Sequence, residues 1–237
     1  MTSRREFLAT GAAAAAAGLP AREKAPASPV RTILFQGDSI TDCSRNRQVL
    51  EPNRAAALAT GYPLMVSSTL LRQHPDLGLQ CFNRGVSGNK VPDLQARWQD
   101  EAIAIRPDIL SILIGVNDIW HKLRNNYNGT VADYESQYTA LLAQTKAALP
   151  GVRLVVLEPF VLRTGQVTDE WFPEFDERRA VAQRVARAAG AQFIQLHEPF
   201  QRLTRRAPAE YWAADGVHPT PAGHAVIAQA WLQAVHV

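Results

Sequence analysis

The sequence predicts an α/β fold, a three-layer sandwich in which helices cover both faces of a five-stranded parallel sheet. Two observations lead there. Five apolar runs of four to six residues each stop at a turn former, as strands buried on both faces do. Between them lie longer segments whose apolar residues recur at helical spacing, and such alternation selects a parallel sheet with crossover helices. A third observation concerns placement. Four polar, glycine-bearing blocks stand at strand ends or just ahead of the last helix, the edge where an open parallel sheet binds its ligands.

The strands are read at residues 32–35, 79–82, 109–114, 153–157 and 192–196. They end in turn on Gly37-Asp38-Ser39, Asn83-Arg84-Gly85, Gly115, Glu158-Pro159 and His197-Glu198-Pro199. Helices are read at 64–74, 92–105, 130–149, 174–189 and 221–235. Pro92 suits a first helical turn, and Gly190 suits a helix end. Stretches 43–61, 121–129 and 163–173 are polar and without periodicity, so they read as loops that shape a site.

The chain has 237 residues, 46% hydrophobic and 20% charged, which is the composition of an ordinary globular protein. Residues 1–29 read as an export segment and 30–237 as one domain. Arg4 and Arg5 precede Phe7 and Leu8, and an alanine-rich run follows at 11–19. Small residues around Ala25-Pro26-Ala27, or Leu19-Pro20-Ala21, offer a cleavage site. This resembles the bacterial twin-arginine signal, which implies the twin-arginine export machinery as a partner and a periplasmic or extracellular destination. The run is shorter than the ~20 residues a membrane span needs. Arg4, Arg5, Arg22 and Lys24 lie in this segment, so the body is closer to neutral than the net +3 of the whole chain. No basic cluster is interleaved with aromatics, and nucleic acid is not an expected partner. Cys43 and Cys81 lack metal-site spacing and read as two small buried residues, with a single disulfide left open. Oligomeric state, including a homo-oligomer, is also left open.

The four blocks are Gly37-Asp-Ser-Ile-Thr41, Asn83-Arg-Gly-Val-Ser-Gly-Asn89, Gly115-Val-Asn-Asp118 and Asp215-Gly-Val-His-Pro219. Taken singly, each has a plain reading as a turn or a cap. Together and in this order they resemble the SGNH (GDSL) hydrolase superfamily, whose fold is flavodoxin-like. That resemblance implies Ser39 as nucleophile, Asp215 and His218 as the rest of a triad, and Gly85 and Asn117 as oxyanion donors. Flanking residues, among them Asp93-Leu-Gln-Ala-Arg-Trp98 and Ile119-Trp120, resemble the acetylxylan and xylooligosaccharide acetylesterase branch. Ala214 departs from that branch, which carries tryptophan there.

The chemistry is consistent with those roles. A serine hydroxyl needs a base within hydrogen-bond reach, and the base needs an orienting acid. Three residues separate Asp215 from His218, so a tight turn can present the carboxylate to one imidazole nitrogen and leave the other for Ser39. The Ser39 and Gly85 backbone N–H groups and the Asn117 amide would hold the oxyanion. Trp98 reads as core, Trp120 as a candidate for stacking on a sugar, Glu158 as a candidate pocket residue, and His197 and His224 as structural. No cofactor or metal is called for. The expected activity is hydrolysis of small acyl esters, acetyl foremost, on plant-polysaccharide oligosaccharides. A lysophospholipase or thioesterase of the same superfamily is the alternative. A carbohydrate-binding protein with a dead site, and a metallophosphoesterase using Asp38, Asn117, Asp215 and His218, are the readings from other classes.

Overall fold

The computed structural model describes residues 31–237; the export segment expected at 1–29 lies outside them. Five strands form one parallel sheet, β1 (Thr32–Gly37), β2 (Gln80–Asn83), β3 (Ile109–Leu113), β4 (Arg153–Leu157) and β5 (Gln192–Ile194), in the order β2-β1-β3-β4-β5. The order reverses at β1, so the crevice at the carboxyl ends opens between β1 and its neighbours, where Ser39 follows.

The helices are α1 (Ser39–Asp42), α2 (Ala55–Leu58), α3 (Tyr62–Gln73), α4 (Val91–Trp98), α5 (Val116–Arg124), α6 (Val131–Ala148), α7 (Glu174–Ala188), α8 (His197–Leu203), α9 (Ala209–Trp212) and α10 (Pro221–Ala234). Strand alternation splits the core in two. Ile33, Phe35, Ile109, Leu113, Val155 and Leu157 face α3 and α10 and pack on Val66, Leu70, Ile227 and Trp231. Leu34, Leu110, Ile112, Leu154 and Val156 face α4, α6 and α7 and pack on Leu94, Trp98, Leu141 and Val181. Trp98 is fully buried and donates its indole N–H to Thr145 Oγ1 at 2.9 Å, as its reading as core requires.

Three readings are corrected. The loop expected at 121–129 begins as helix, because α5 runs from Val116 to Arg124 and carries Asn117 in its first turn. Glycine at 115 and the polar Asn-Asp pair hid that start. The single helix expected at 92–105 ends as α4 at Trp98 and continues as a π-helical turn, Gln99–Ile103. Short helices α2, α8 and α9 occupy stretches too brief for periodicity to register. Among the described residues, no helix is long and apolar enough to cross a membrane.

Candidate active site

The position of Ser39 is built by the end of β1. Asp38 caps α1, its Oδ1 accepting the Ile40 N–H at 3.0 Å, and Ser39 takes the first helical position. The Ser39 N–H therefore has no helical acceptor and is free for a ligand. The next loop extends the sheet pairing beyond β2. Arg84 N–H donates to Phe35 O at 2.8 Å and Val86 N–H to Gly37 O at 3.0 Å, which brings Ser87–Asn89 alongside Ser39. Asp42, three residues after the serine, locks the two together. Its Oδ2 accepts the Ser87 N–H at 2.9 Å and the Ser87 hydroxyl at 2.7 Å.

The other half comes from one turn before α10. Asp215 Oδ1 accepts the backbone N–H groups of Val217 at 2.9 Å and His218 at 2.7 Å. Asp215 Oδ2 lies 2.7 Å from His218 Nδ1. Because an ionised carboxylate only accepts, Nδ1 carries the proton and Nε2 is bare. That bare nitrogen is 2.8 Å from Ser39 Oγ. Burial pushes the Asp215 carboxyl up, but the bonds from the His218 ring and from two backbone N–H groups outweigh it and hold Asp215 below the usual carboxylate range. The turn is fixed from outside by Leu162 N–H on Gly216 O and Gln166 N–H on Asp215 O, both at 2.8 Å, and is closed by a bridge between Ala213 and Pro219.

Asn117 and Gly85 differ in outcome. Asn117 is buried at the start of α5, and its amide donates to Asn89 O at 3.1 Å, so the side chain sits against the 87–89 loop with a second N–H to give. Gly85 does not fit the donor role. Its N–H is taken by Asn83 Oδ1 at 2.9 Å. Its place in the motif has a steric cause instead: a Cβ there would lie 2.4 Å from Asp42 N, so only glycine lets this loop pack on α1. Three residues on, Gly88 has φ +81° and, among the described residues, no acceptor for its N–H. It adjoins Asn89, whose carbonyl holds Asn117, and is the donor better suited to an oxyanion. The block contains both glycines, and the sequence reading assigns the donor role to Gly85 alone. The cue was that Gly85 follows Asn83 by two residues, the spacing at which an asparagine side chain bonds its own backbone.

Ser39 and His218 open onto a cleft of about 750 Å³, walled by Cys43, Asn46, Ala56 and Thr60 from the 43–61 stretch and by Ser87. Cys43 and Cys81 are free thiols, Cys81 buried and Cys43 only partly so. His224 is buried. Its Nδ1 accepts the Tyr62 N–H at 3.2 Å, and its Nε2 faces Cys43 Sγ at 3.3 Å. Burial, and then the neighbouring His218, pull His224 down to about 4, so it stands neutral as a wall residue. Trp120 is half-buried, with ring centroids 5.6 Å from His218 and 5.7 Å from Trp171, so it backs the histidine rather than presenting an open platform. Glu158 is likewise occupied: Oε1 takes Arg179 and Oε2 takes the N–H groups of Leu196 and His197.

Two buried carboxyls stand behind the site. Asp38 is raised to about 7, chiefly by burial and further by the charge of Asp118. Asp118 is raised to about 7 by burial, against the pull of Arg178. Neither Asp118 oxygen has a hydrogen-bond partner among the described residues. No cluster of three or more His, Cys, Asp or Glu suited to a metal is present among the described residues.

Comparison with known proteins agrees with this geometry. Residues 35–226 match the GDSL-like lipase/acylhydrolase family. An acetylxylan esterase from Geobacillus stearothermophilus is 34% identical over 207 residues, 86% of this chain and 93% of the relative. The solved structure of that esterase superposes with a TM-score of 0.78, at 33% identity over 87% of this chain and 94% of its own. A GDSL-like lipase from Parabacteroides merdae gives a TM-score of 0.85 at 42% identity, covering 90% of this chain and 98% of the other. Structures described as catalytic mutants of the Geobacillus enzyme replace a serine, an aspartate and a histidine, the last two three positions apart as Asp215 and His218 are here. This chain belongs to the GDSL-like lipase/acylhydrolase family, and it is an esterase of that type.

Proposed function

We propose that the protein removes acetyl groups from carbohydrate, with xylan-derived oligosaccharides as the leading substrate class, through an acyl-enzyme on Ser39. The observation that carries the mechanism is the continuous chain from Ser39 Oγ through His218 to Asp215, at 2.8 and 2.7 Å. Ser39 Oγ attacks the ester carbonyl carbon while His218 Nε2 takes its proton. The oxyanion is held by the Ser39 N–H, the Asn117 amide and the Gly88 N–H. His218 returns the proton to the departing sugar oxygen, and the acetyl group stays esterified to Ser39 Oγ. Water then repeats the sequence, losing a proton to His218 and displacing Ser39. Asp215 holds the imidazole in the required tautomer and offsets the imidazolium charge that develops.

Three features support a sugar alcohol as the leaving group. The cleft beside Ser39 is walled by Asn46, Thr60 and Ser87, which offer hydrogen bonds to hydroxyls. Ala214 is exposed next to Asp215, so the entrance on that side is open to a bulky alcohol. The relative with 34% identity acts on acetylated xylan by its name. Export through the twin-arginine route is part of the same reading, since polymeric substrates lie outside the cell. The test is acetate release from acetylated xylan, pectin and chitin oligosaccharides, beside a rate series on esters from acetyl to decanoyl. Fastest turnover of acetyl esters and of acetylated xylooligosaccharides is the expected result. Preference for decanoyl would overturn the reading in favour of a lysophospholipase-type activity. Detection of a shortened protein outside the cytoplasm, lost on Arg4→Lys with Arg5→Lys, would support the export step.

A further inference from the structure

A second cavity, of about 540 Å³, shares no lining residue with the Ser39 cleft. Four arginines line it, Arg45, Arg47, Arg84 and Arg97, with Asp100 and Glu101 at its wall. Two of the four have close carboxylate partners: Arg47 meets Asp42, and Arg97 meets Glu101, each at 2.5 Å. The other two do not. Arg84 is buried and spends its Nη groups on carbonyls, Asn83 O at 3.3 Å and Leu50 O at 2.9 Å. The Arg45 side chain is only 3% exposed. Its Nε donates to Gly85 O at 2.9 Å, and the nearest carboxylate oxygen, Asp42 Oδ1, is 3.9 Å from that nitrogen. Neither Nη group of Arg45 has an acceptor among the described residues, and the residue lines the cavity.

A buried guanidinium whose Nη groups lack acceptors, with its nearest carboxylate oxygen 3.9 Å from Nε, is costly, and planar forks of this kind match two oxygens of one anion. Burial, and then the neighbouring Arg84 charge, pull Arg45 down to about 10 against the opposing charges of Asp42 and Glu101. We propose that this cavity is a binding site for a small oxyanion, a carboxylate or a phosphate, held by the two free Nη groups of Arg45 with Arg47 and Arg84 beside it. The same chemistry has two sources, a free inorganic anion or the acid group of a charged sugar. Its wall is the loop that carries Gly88: Arg45 holds Gly85 O, and Arg97 holds Arg84 O and Asn89 Oδ1, each at 2.8 or 2.9 Å.

The experiment is thermal unfolding and titration calorimetry of the intact protein with phosphate and with glucuronate, against chloride at equal ionic strength. At about a hundred times the dissociation constant, a ligand of the folded state raises Tm by roughly 5–10 °C in a chain of this size. A saturable rise with either anion and none with chloride is expected. Tighter binding of phosphate marks a free anion as the occupant, and tighter binding of glucuronate marks an acidic sugar. Arg47→Ala, a half-exposed position that leaves the packed arginines in place, should weaken the response roughly tenfold, whereas Asn117→Ala, which alters the Ser39 cleft, should leave it unchanged. No saturable effect beyond chloride overturns the proposal. So does a response that survives Arg47→Ala and is lost in Asn117→Ala, because the anion would then sit in the cleft.

Discussion

The Gly85 N–H donates to the Asn83 side-chain oxygen at 2.9 Å, so this glycine spends its donor inside its own turn. Asn83 is a fully buried hub, and its amide also donates to Thr41 O at 2.7 Å and Leu58 O at 3.2 Å. The two glycines of the motif therefore predict different phenotypes. Gly85→Ala places a Cβ 2.4 Å from Asp42 N and should lower Tm by many degrees or prevent folding. Gly88→Ala meets nothing closer than the His121 ring at 3.7 Å, so its cost is the backbone strain at φ +81° and its effect should fall mainly on kcat. Circular dichroism melts beside initial rates separate them. A folded, fully active Gly85→Ala would contradict the packing account.

Asn117→Ala should fold normally and lose roughly 10²–10³ in kcat, the usual loss for one oxyanion donor. Steady-state rates on an acetyl ester check it, with KM expected to change little. A loss confined to KM would mean that Asn117 binds the substrate and not the charge that develops.

Asp215→Asn keeps the turn but can donate to His218 Nδ1, which forces the wrong tautomer on Nε2. The expected loss in kcat is about 10⁴, roughly a hundredfold smaller than the loss of about 10⁶ expected from Ser39→Ala. Burst kinetics with a chromogenic acetate ester will tell the two apart: Ser39→Ala forms no acyl-enzyme, and Asp215→Asn forms it slowly.

Asp118→Asn tests the buried acid behind the site. The carboxyl is raised to about 7 when folded, against an ordinary value near 3.8. The native state therefore holds its proton more tightly than the unfolded chain does, and this contribution is complete below pH 3.8 and is lost as pH rises towards 7. Asparagine mimics the protonated form at every pH. The variant should gain stability over the parent between pH 4 and 7, by roughly 2–4 kcal/mol at the upper end. Urea melts across that range measure it. A stability difference that does not change with pH would mean that Asp118 is ionised throughout.

The sheet was legible because each strand is a continuous apolar run closed by a turn former, and 109–114 and 153–157 match β3 and β4 within a residue. The meeting of Ser39, His218 and Asp215 was legible because each sits in a short motif whose spacing fixes its geometry, as in the three-residue step from Asp215 to His218. What the sequence hid depends on contacts between distant segments. Asn117 reads as a turn residue, since nothing local reveals that Gly115 hands directly into α5. Gly85 reads as the donor until Asn83 is seen to capture its N–H, which leaves Gly88. Trp120 reads as an open ring until Trp171, from a loop fifty residues later, is found packed on it. The arginine cavity was invisible because its members come from the stretch after α1, the end of β2 and α4.

Asp215 and His218 come from a single turn late in the sequence, and Ser39 comes from the end of the first strand. Between them lies the exposed pair Arg205 and Arg206, just past α8. A chain divided there yields two pieces, one with Ser39 and all five strands, the other with Asp215, His218 and α10, whose Trp231 must dock on the sheet against Phe35. Neither piece holds a complete triad. Ester hydrolysis would then occur only on reassembly, which makes this fold a candidate split reporter whose colour reaction scores the meeting of two fused partners.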